Sequence, residues 1–343
     1  DVRLSLVDLK NRGAEKLILD LRGNGGGSLA EAVDIVGLFV PKGTKVVSTR
    51  GKLSQASQTF KTQREPLDLT IPLVVLVDGQ SASASEIVAG AIQDLDRGVV
   101  MGWRTFGKGL VQSVRELPYN SSLKITTSKY YTPSGRCVQK IDYSKAVRSK
   151  GEEDKTESAP GEFYTLSGRP VKAAGGITPD VVLKELAVPN LLFYLANSDI
   201  LFDFATDYAH SHPTIAPVDD FVVNDSLYAA FKEAVKASDF KYDRQSEKAL
   251  AALKEVAAFE GYLDEASETF ALLEKQLSHD IDRDFEYFDQ RIRELLADEL
   301  VSRYYYQRGA IIQAIKSDST VFYARDLLAD SVAYRAMLVP AAK

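Results

Sequence analysis

An α/β core followed by an α-helical C-terminal domain is the architecture this sequence predicts. Three observations lead there. Strand and helix signals alternate over the first half of the 343 residues. Ile71-Pro72-Leu73-Val74-Val75-Leu76-Val77 is a continuous apolar run, the pattern of a strand buried on both faces. From about Val188 the strand signals fade. There Leu273, Leu277, Ile281, Phe285, Phe288, Ile292 and Leu296 recur at threes and fours with charges between, the stripe of an amphipathic helix packed on others. This change puts a boundary near residues 185–195 and gives a core over 1–187 and a helical domain over 188–343. The sequence shows no repeat of fixed period.

Taken in order, the chain opens on a helix with Leu4, Val7 and Leu9 as its apolar positions. Its start has neither the basic flank nor the apolar stretch of a signal peptide, so it reads as beginning mid-protein. Lys16 to Leu21 is a short apolar strand ending in Arg22-Gly23-Asn24-Gly25-Gly26-Gly27. A helix follows from about Ser28 to Phe39, with Ala30, Val33, Ile35, Val36 and Phe39 mostly on one side, and Pro41-Lys42-Gly43 closes it. After the strand at 71–77, Ile87, Val88, Ala91, Ile92 and Leu95 mark a second helix by their 3.6-residue spacing. Gly98 to Trp103 gives another buried strand. Leu110 to Leu117 and Leu123 to Tyr131 form a hairpin around Pro118-Tyr119-Asn120-Ser121. Residues from Asp142 to about Lys172 are polar and read as a surface excursion, after which Gly175 to Leu183 resumes ordered chain.

Bulk composition narrows the function. Apolar residues make up 45% and charged residues 26%, as in a globular protein. A net charge of -6 without a long basic run argues against nucleic acid as a partner. The single cysteine, Cys137, excludes an intrachain disulfide and a thiolate zinc cluster. No apolar stretch is long enough to span a membrane. No metal signature is present, neither His-Glu-x-x-His nor a carboxylate-rich calcium loop, and the chemistry below needs no cofactor.

Ser83 lies where an apolar strand passes into a helix, with Glu86 three residues on. Ser-x-x-Glu in that position is a capping box, and the plain alternative is that Ser83 only caps the helix. The same geometry suits a nucleophile. A helix N-terminus offers unpaired backbone N–H groups and the positive end of the dipole, so the Ala84 N–H could stabilise an oxyanion when Ser83 attacks a carbonyl. Ser81 and Ser85 compete for the role on local pattern alone. The three histidines, His210, His212 and His279, all lie in the helical part, which disfavours a Ser-His-Asp triad. Lys108, between Gly107 and Gly109 with Phe106 and Leu110 nearby, is the better base, because an apolar setting favours the neutral amine. The plain alternative is a solvated lysine beside a glycine turn. Strand alternation would put residues 108, 110 and 112 on one face, so Gln112 could hold the Lys108 amine. The glycine loop lacks the Walker lysine and a clear Gly-x-Gly-x-x-Gly, which leaves it as a second oxyanion donor from around Gly25 or Gly26.

Five segments in order complete a pattern: Ile18 to Gly27, Ser81 to Ile87, Thr105 to Gly109, Tyr131 to Arg136, and Gly176 to Val181. Over roughly residues 1–185 the chain resembles the carboxy-terminal processing peptidases, or tail-specific proteases. That resemblance implies a crotonase-like α/β core. It implies Ser83 as nucleophile, since the family's lysine follows its serine by the interval that separates Ser83 from Lys108. It implies Gln112 as the partner of Lys108, and an oxyanion hole from Ala84 and a glycine of the loop, assigned to Gly26. It further implies endoproteolysis near the C-termini of exported, for example periplasmic, proteins, with peptides or unfolded proteins as substrates. The PDZ domain that usually precedes the Asp-Leu-Arg motif is not found in this sequence. The helical region matches no family motif, and docking on the core, homo-oligomerisation or contact with an adaptor all fit its apolar stripe.

The expected chemistry is a Ser83–Lys108 dyad working through an acyl-enzyme, with activity rising with pH. A non-catalytic module binding peptides or lipophilic ligands on the same fold is the first rival. An acyl-CoA-handling enzyme of the crotonase type is the second, weakened by the absence of an acidic base beside the glycine loop.

Overall fold

The computed structural model describes residues 1–141, 162–173, 175–184, 188–278 and 280–340. The chain divides into two compact units, Asp1–Glu185 together with Ser319–Lys343, and Leu186–Asp318.

In the first unit the elements run α1 (Val2–Asn11), β1 (Leu17–Asp20), α2 (Leu29–Val36), β2 (Lys45–Gly51), β3 (Thr59–Lys61), β4 (Leu73–Val77), α3 (Ala84–Asp94), β5 (Val99–Gly102), β6 (Leu110–Leu117), β7 (Ser121–Tyr131), β8 (Phe163–Tyr164), β9 (Pro170–Val171) and β10 (Val181–Val182). A parallel sheet has the order β1-β4-β5-β10. Its central strand explains the apolar run. Side chains alternate across a strand, so Leu73, Val75 and Val77 join a core with Val33 and Val36 of α2 and Ile87, Val88, Ala91 and Ile92 of α3. Val74 and Leu76 enter a second cluster on the other face with Val99 and Met101. All five residues of β4 are fully buried, each worth about 1.5–3 kcal/mol over leaving it in water.

That second face is covered from the far end of the sequence. Ala324 and Leu328 of a helix over Ser319–Ala329, and Tyr334 of a short helix over Ser331–Ala336, complete the cluster with Val74 and Leu76. Tyr334 also takes a hydrogen bond from the Leu73 N–H and gives one to the Leu73 carbonyl, at 2.8 and 3.1 Å. The sequence reading assigned all of 188–343 to a helical domain, whereas the structure returns Ser319–Lys343 to the core. A helix that covers a sheet has the same apolar periodicity as one that packs on helices, so spacing did not separate them.

The second sheet is antiparallel, in the order β3-β2-β7-β6. The expected hairpin is present and turns through Tyr119 and Asn120, both at positive φ, 62° and 55°. Strands β2 and β3 had no clear sequence signal. The described part of the polar excursion, from residue 162 onward, forms the small β8–β9 ribbon, and residues 142–161 lie outside the described residues. On α1 the buried position is Leu6, while Leu4 is 73% exposed, so the apolar face expected there is not the one the fold uses.

The second unit is helical: α4 (Asn190–Ala196), α5 (Asp199–Ser211), α6 (Asp225–Ala237), α7 (Gln245–Phe259), α8 (Ser267–Leu277), α9 (Ile281–Tyr287) and α10 (Asp289–Ile315). Its core gathers Leu191, Leu195, Phe231, Phe285, Ile292, Leu296 and Leu300. The stripe from Leu273 to Leu296 is apolar as expected but is not one helix. Asp280 caps a new start by accepting from the Asp282 and Arg283 N–H groups, and the chain breaks again at Phe288. Among the described residues no helix is long and apolar enough to cross a membrane.

Candidate active site

Ser83 is the residue before α3, at φ 57° and ψ -114°. A non-glycine residue there is strained by about 1–3 kcal/mol and persists only where its surroundings hold it. The surroundings are specific. The Ser83 N–H donates to Glu86 Oε2 at 2.9 Å, the carboxylate half of the Ser-x-x-Glu capping box. Its carbonyl accepts from Ile87 N–H at 3.1 Å and from the Tyr130 hydroxyl at 3.1 Å.

The neighbouring serines are spoken for. Ser81 is fully buried, with its hydroxyl donating to the Leu21 carbonyl at 2.7 Å and accepting from the Asp78 N–H at 2.9 Å. Ser85 is buried, with its hydroxyl donating to the Asn24 carbonyl at 3.0 Å. Ser83 alone of the three is half-buried rather than enclosed. Geometry thus separates residues that local pattern could not.

The Lys108 loop is tied to the same two side chains. Glu86 is fully buried, and its Oε2 accepts the Lys108 N–H at 2.8 Å as well as the Ser83 N–H. Its Oε1 accepts the Gly107 N–H at 2.8 Å and the Thr105 hydroxyl at 2.7 Å. Two amide nitrogens bound to one oxygen lie within two hydrogen-bond lengths of each other. Tyr130, also buried, shares its hydroxyl between the carbonyls of Lys108, at 2.8 Å, and Ser83. Glu86 therefore takes the N–H, and Tyr130 faces the C=O, of both residues. Burial pushes the Glu86 carboxyl above its ordinary value, and the hydrogen bonds from Thr105, Lys108, Ser83 and Gly107 pull the other way. The Gly107 φ of +90° lets the loop turn against Lys140, whose Cβ would lie 2.7 Å from a Cβ at Gly107.

The glycine loop reaches the same place. A Cβ on Gly26, at φ +95°, would sit 2.7 Å from the Ala84 nitrogen and 2.9 Å from the Ser83 Cβ, so only glycine fits there. The Gly26 N–H donates to Asn24 Oδ1 at 2.9 Å and is already engaged. The Ala84 N–H has no acceptor among the described residues, as a first-turn helix amide commonly does not.

Beside Lys108 a cleft of about 1070 Å³ is lined in part by Phe106, Lys108, Leu110 and Gln112. Lys108 and Gln112 thus share a cavity wall, although not by the alternation expected: Lys108 precedes β6, and the register slips between Val111 and Gln112. Among the described residues no hydrogen bond joins Gln112 to Lys108, and the Lys108 ammonium has no ion-pair partner. His210 and His212 belong to the second unit, and His279 lies outside the described residues. Sequence reasoning missed Tyr130, and read Glu86 only as a cap. The Ser-x-x-Glu spacing was the available signal for Glu86. For Tyr130 nothing short of the β2–β7 pairing would have served.

A strained serine at a strand–helix junction, with a lysine on the adjoining loop that has no ion-pair partner among the described residues, has the parts of a serine hydrolase. Residues 1–147 match the model of peptidase family S41, and residues 191–328 match that of the probable PDZ-protease C-terminal helical domain. Residues 1–147 thus form a serine-peptidase domain of family S41. The chain is similar to the carboxy-terminal-processing protease of Bartonella bacilliformis, with 42% identity over 145 residues, 41% of this chain and 33% of that one. It is similar also to the chloroplastic carboxyl-terminal-processing peptidase 1 of Arabidopsis thaliana, with 40% identity over 134 residues, 39% of this chain and 27% of that one. Among solved structures it matches a photosystem II D1 C-terminal processing protease at 32% identity and a TM-score of 0.40, covering 53% of this chain and 38% of that one. The matched stretch spans about a third of the length of these curated relatives.

Proposed function

We propose that the first unit, a crotonase-like core, is a serine endopeptidase in which Ser83 is the nucleophile and Lys108 the base. The observation that carries this is the shared clamp: Glu86 and Tyr130 hold the backbones of Ser83 and Lys108 together at a strained serine, while the lysine ammonium has no ion-pair partner among the described residues.

In this reading the neutral Lys108 amine takes the Ser83 proton as Oγ attacks the peptide carbonyl. The oxyanion is met by the Ala84 N–H, and by the Gly26 N–H once it exchanges Asn24 for substrate. Lys108 returns the proton to the leaving amine. Water, activated by the same amine, then hydrolyses the acyl-enzyme. Gln112 orients Lys108 when substrate fills the cleft. An extended peptide suits β6, the edge strand of its sheet, by adding as a further strand. By analogy with the carboxy-terminal-processing relatives, the substrates are C-terminal regions of exported proteins, and the helical unit serves docking, self-association or an adaptor.

The test is digestion of an unfolded protein such as casein, followed by mass spectrometry. Ser83→Ala and Lys108→Ala each lower cleavage by at least about 10³-fold, as loss of a nucleophile or its base does elsewhere. Full activity in either variant would exclude the dyad. Saturable peptide binding with no turnover by the parent chain would point to a binding module instead.

A further inference from the structure

Among the described residues, the charged ones lining the cleft are Arg104, Lys108, Lys129 and Lys140, with no carboxylate. The chain as a whole has 42 Lys and Arg against 48 Asp and Glu, so four charges of one sign in one cleft depart from its average. None of the four has an ion-pair partner among the described residues.

The cations are built in from three separate segments. Lys129, on β7, is opposite Leu110 of β6 on one side and Arg50 of β2 on the other. Like charges directly opposite in a sheet repel, and the Arg50 guanidinium lies over the Tyr131 ring at 4.3 Å rather than against a carboxylate. Lys140 is fixed beside the Lys108 loop, where its N–H donates to the Gly107 carbonyl at 2.9 Å. Among the described residues the Arg104 side chain reaches the Thr178 hydroxyl, at 3.4 Å. Phe106, Leu110 and Ile141 give the same cleft an apolar wall. Low-dielectric walls lined by one sign of charge focus the field on a ligand of the other sign.

Building on the peptidase reading of this cleft, we propose that Arg104, Lys129 and Lys140 form a carboxylate-recognition subsite for the substrate peptide. The carboxylate comes from the peptide's own C-terminus or from an Asp or Glu side chain beside an apolar residue. Arginine meets it through paired N–H groups, and the two lysines act as point charges.

Binding to Ser83→Ala protein tests this without relying on turnover. Three fluorescent peptides of one sequence are compared by anisotropy: free C-terminus without acidic side chains, amidated C-terminus, and amidated C-terminus with one internal Glu. The expected result is about tenfold tighter binding of at least one carboxylate peptide than of the neutral one, shrinking as salt is raised. Which of the two gains identifies the source of the carboxylate. In Arg104→Gln/Lys129→Met/Lys140→Met protein, with an unchanged melting temperature, the ratio falls to about one. Equal binding of all three peptides, or a preference that survives the triple substitution, would overturn the subsite. If the preference holds while the parent chain cleaves no peptide, the peptidase reading fails and the subsite stands.

Discussion

At the C-terminal end of α3, buried carboxylates are met by guanidinium groups; at its N-terminal end, a buried carboxylate is met by amides and hydroxyls. Arg136 reaches Asp94 at 2.7 Å, with both side chains almost wholly buried. Arg169 bridges Asp96, at 2.7 Å, and Asp180, at 2.6 Å. Glu86, one end of the helix away, has Lys108 on the adjoining loop yet takes its backbone N–H and not its ammonium. The difference separates two uses of charge. Ion pairing at one end fixes the helix to the segments at 134–136 and 163–180. Neutral donors at the other end fix two loops and leave the Lys108 ammonium without an ion-pair partner among the described residues. Had the ammonium paired with Glu86, Lys108 would not be available for its proposed role as base.

Breaking the ion-paired end should have the largest effect on stability. Arg136→Ala strands Asp94 in the interior, and loss of one partner of a buried pair costs about 3–5 kcal/mol. Urea unfolding would show this as a lower midpoint. A change under about 1 kcal/mol would mean that the pair is not holding this end.

Substitution at the other end should move activity more than stability. Glu86→Gln points an amide NH₂ at one of the N–H donors and orphans it, at about 1–3 kcal/mol, partly offset by removal of a buried charge. Cleavage should fall about 10²-fold as the two loops separate. The pH dependence gives a sharper reading. Because burial raises the folded-state pKa of Glu86 above its ordinary 4.5, the folded protein binds this proton more tightly than the unfolded chain. Its contribution to stability is then complete below 4.5 and is lost as pH rises through the folded value. The unfolding free energy of the parent, less that of Glu86→Gln, should decline over that window. A difference that rises with pH would mean that the four hydrogen bonds outweigh burial at Glu86.

Tyr130→Phe is the mildest break. It removes one hydroxyl shared by two carbonyls, costs about 1 kcal/mol and should slow cleavage about tenfold without altering the fold.

The same contrast explains what could be read from the sequence. The strand–helix alternation, the buried run at 71–77, and the Ser-rich and Gly-Lys-Gly motifs were legible because each rests on neighbours in sequence, whereas the choice of Ser83 over Ser81 and Ser85 was not. The Glu86 clamp was not, because its donors at 83, 105, 107 and 108 become neighbours only when β4 and β5 pair. The return of Ser319–Lys343 to the core was hidden for a related reason: Thr320, Ala324 and Leu328 are spaced like any helical face, and only the uncovered side of β4 decides where they go. Gly26, expected as a second oxyanion donor, lies against Ser83 with its N–H held by Asn24, a detail no spacing carries.

The most direct measurement is covalent labelling with a serine-directed phosphonate reagent, followed by peptide mapping. One adduct, on Ser83, is expected in the parent chain and almost none in Lys108→Ala. An adduct on Ser81 or Ser85, or labelling of Ser83 undiminished in Lys108→Ala, would contradict it.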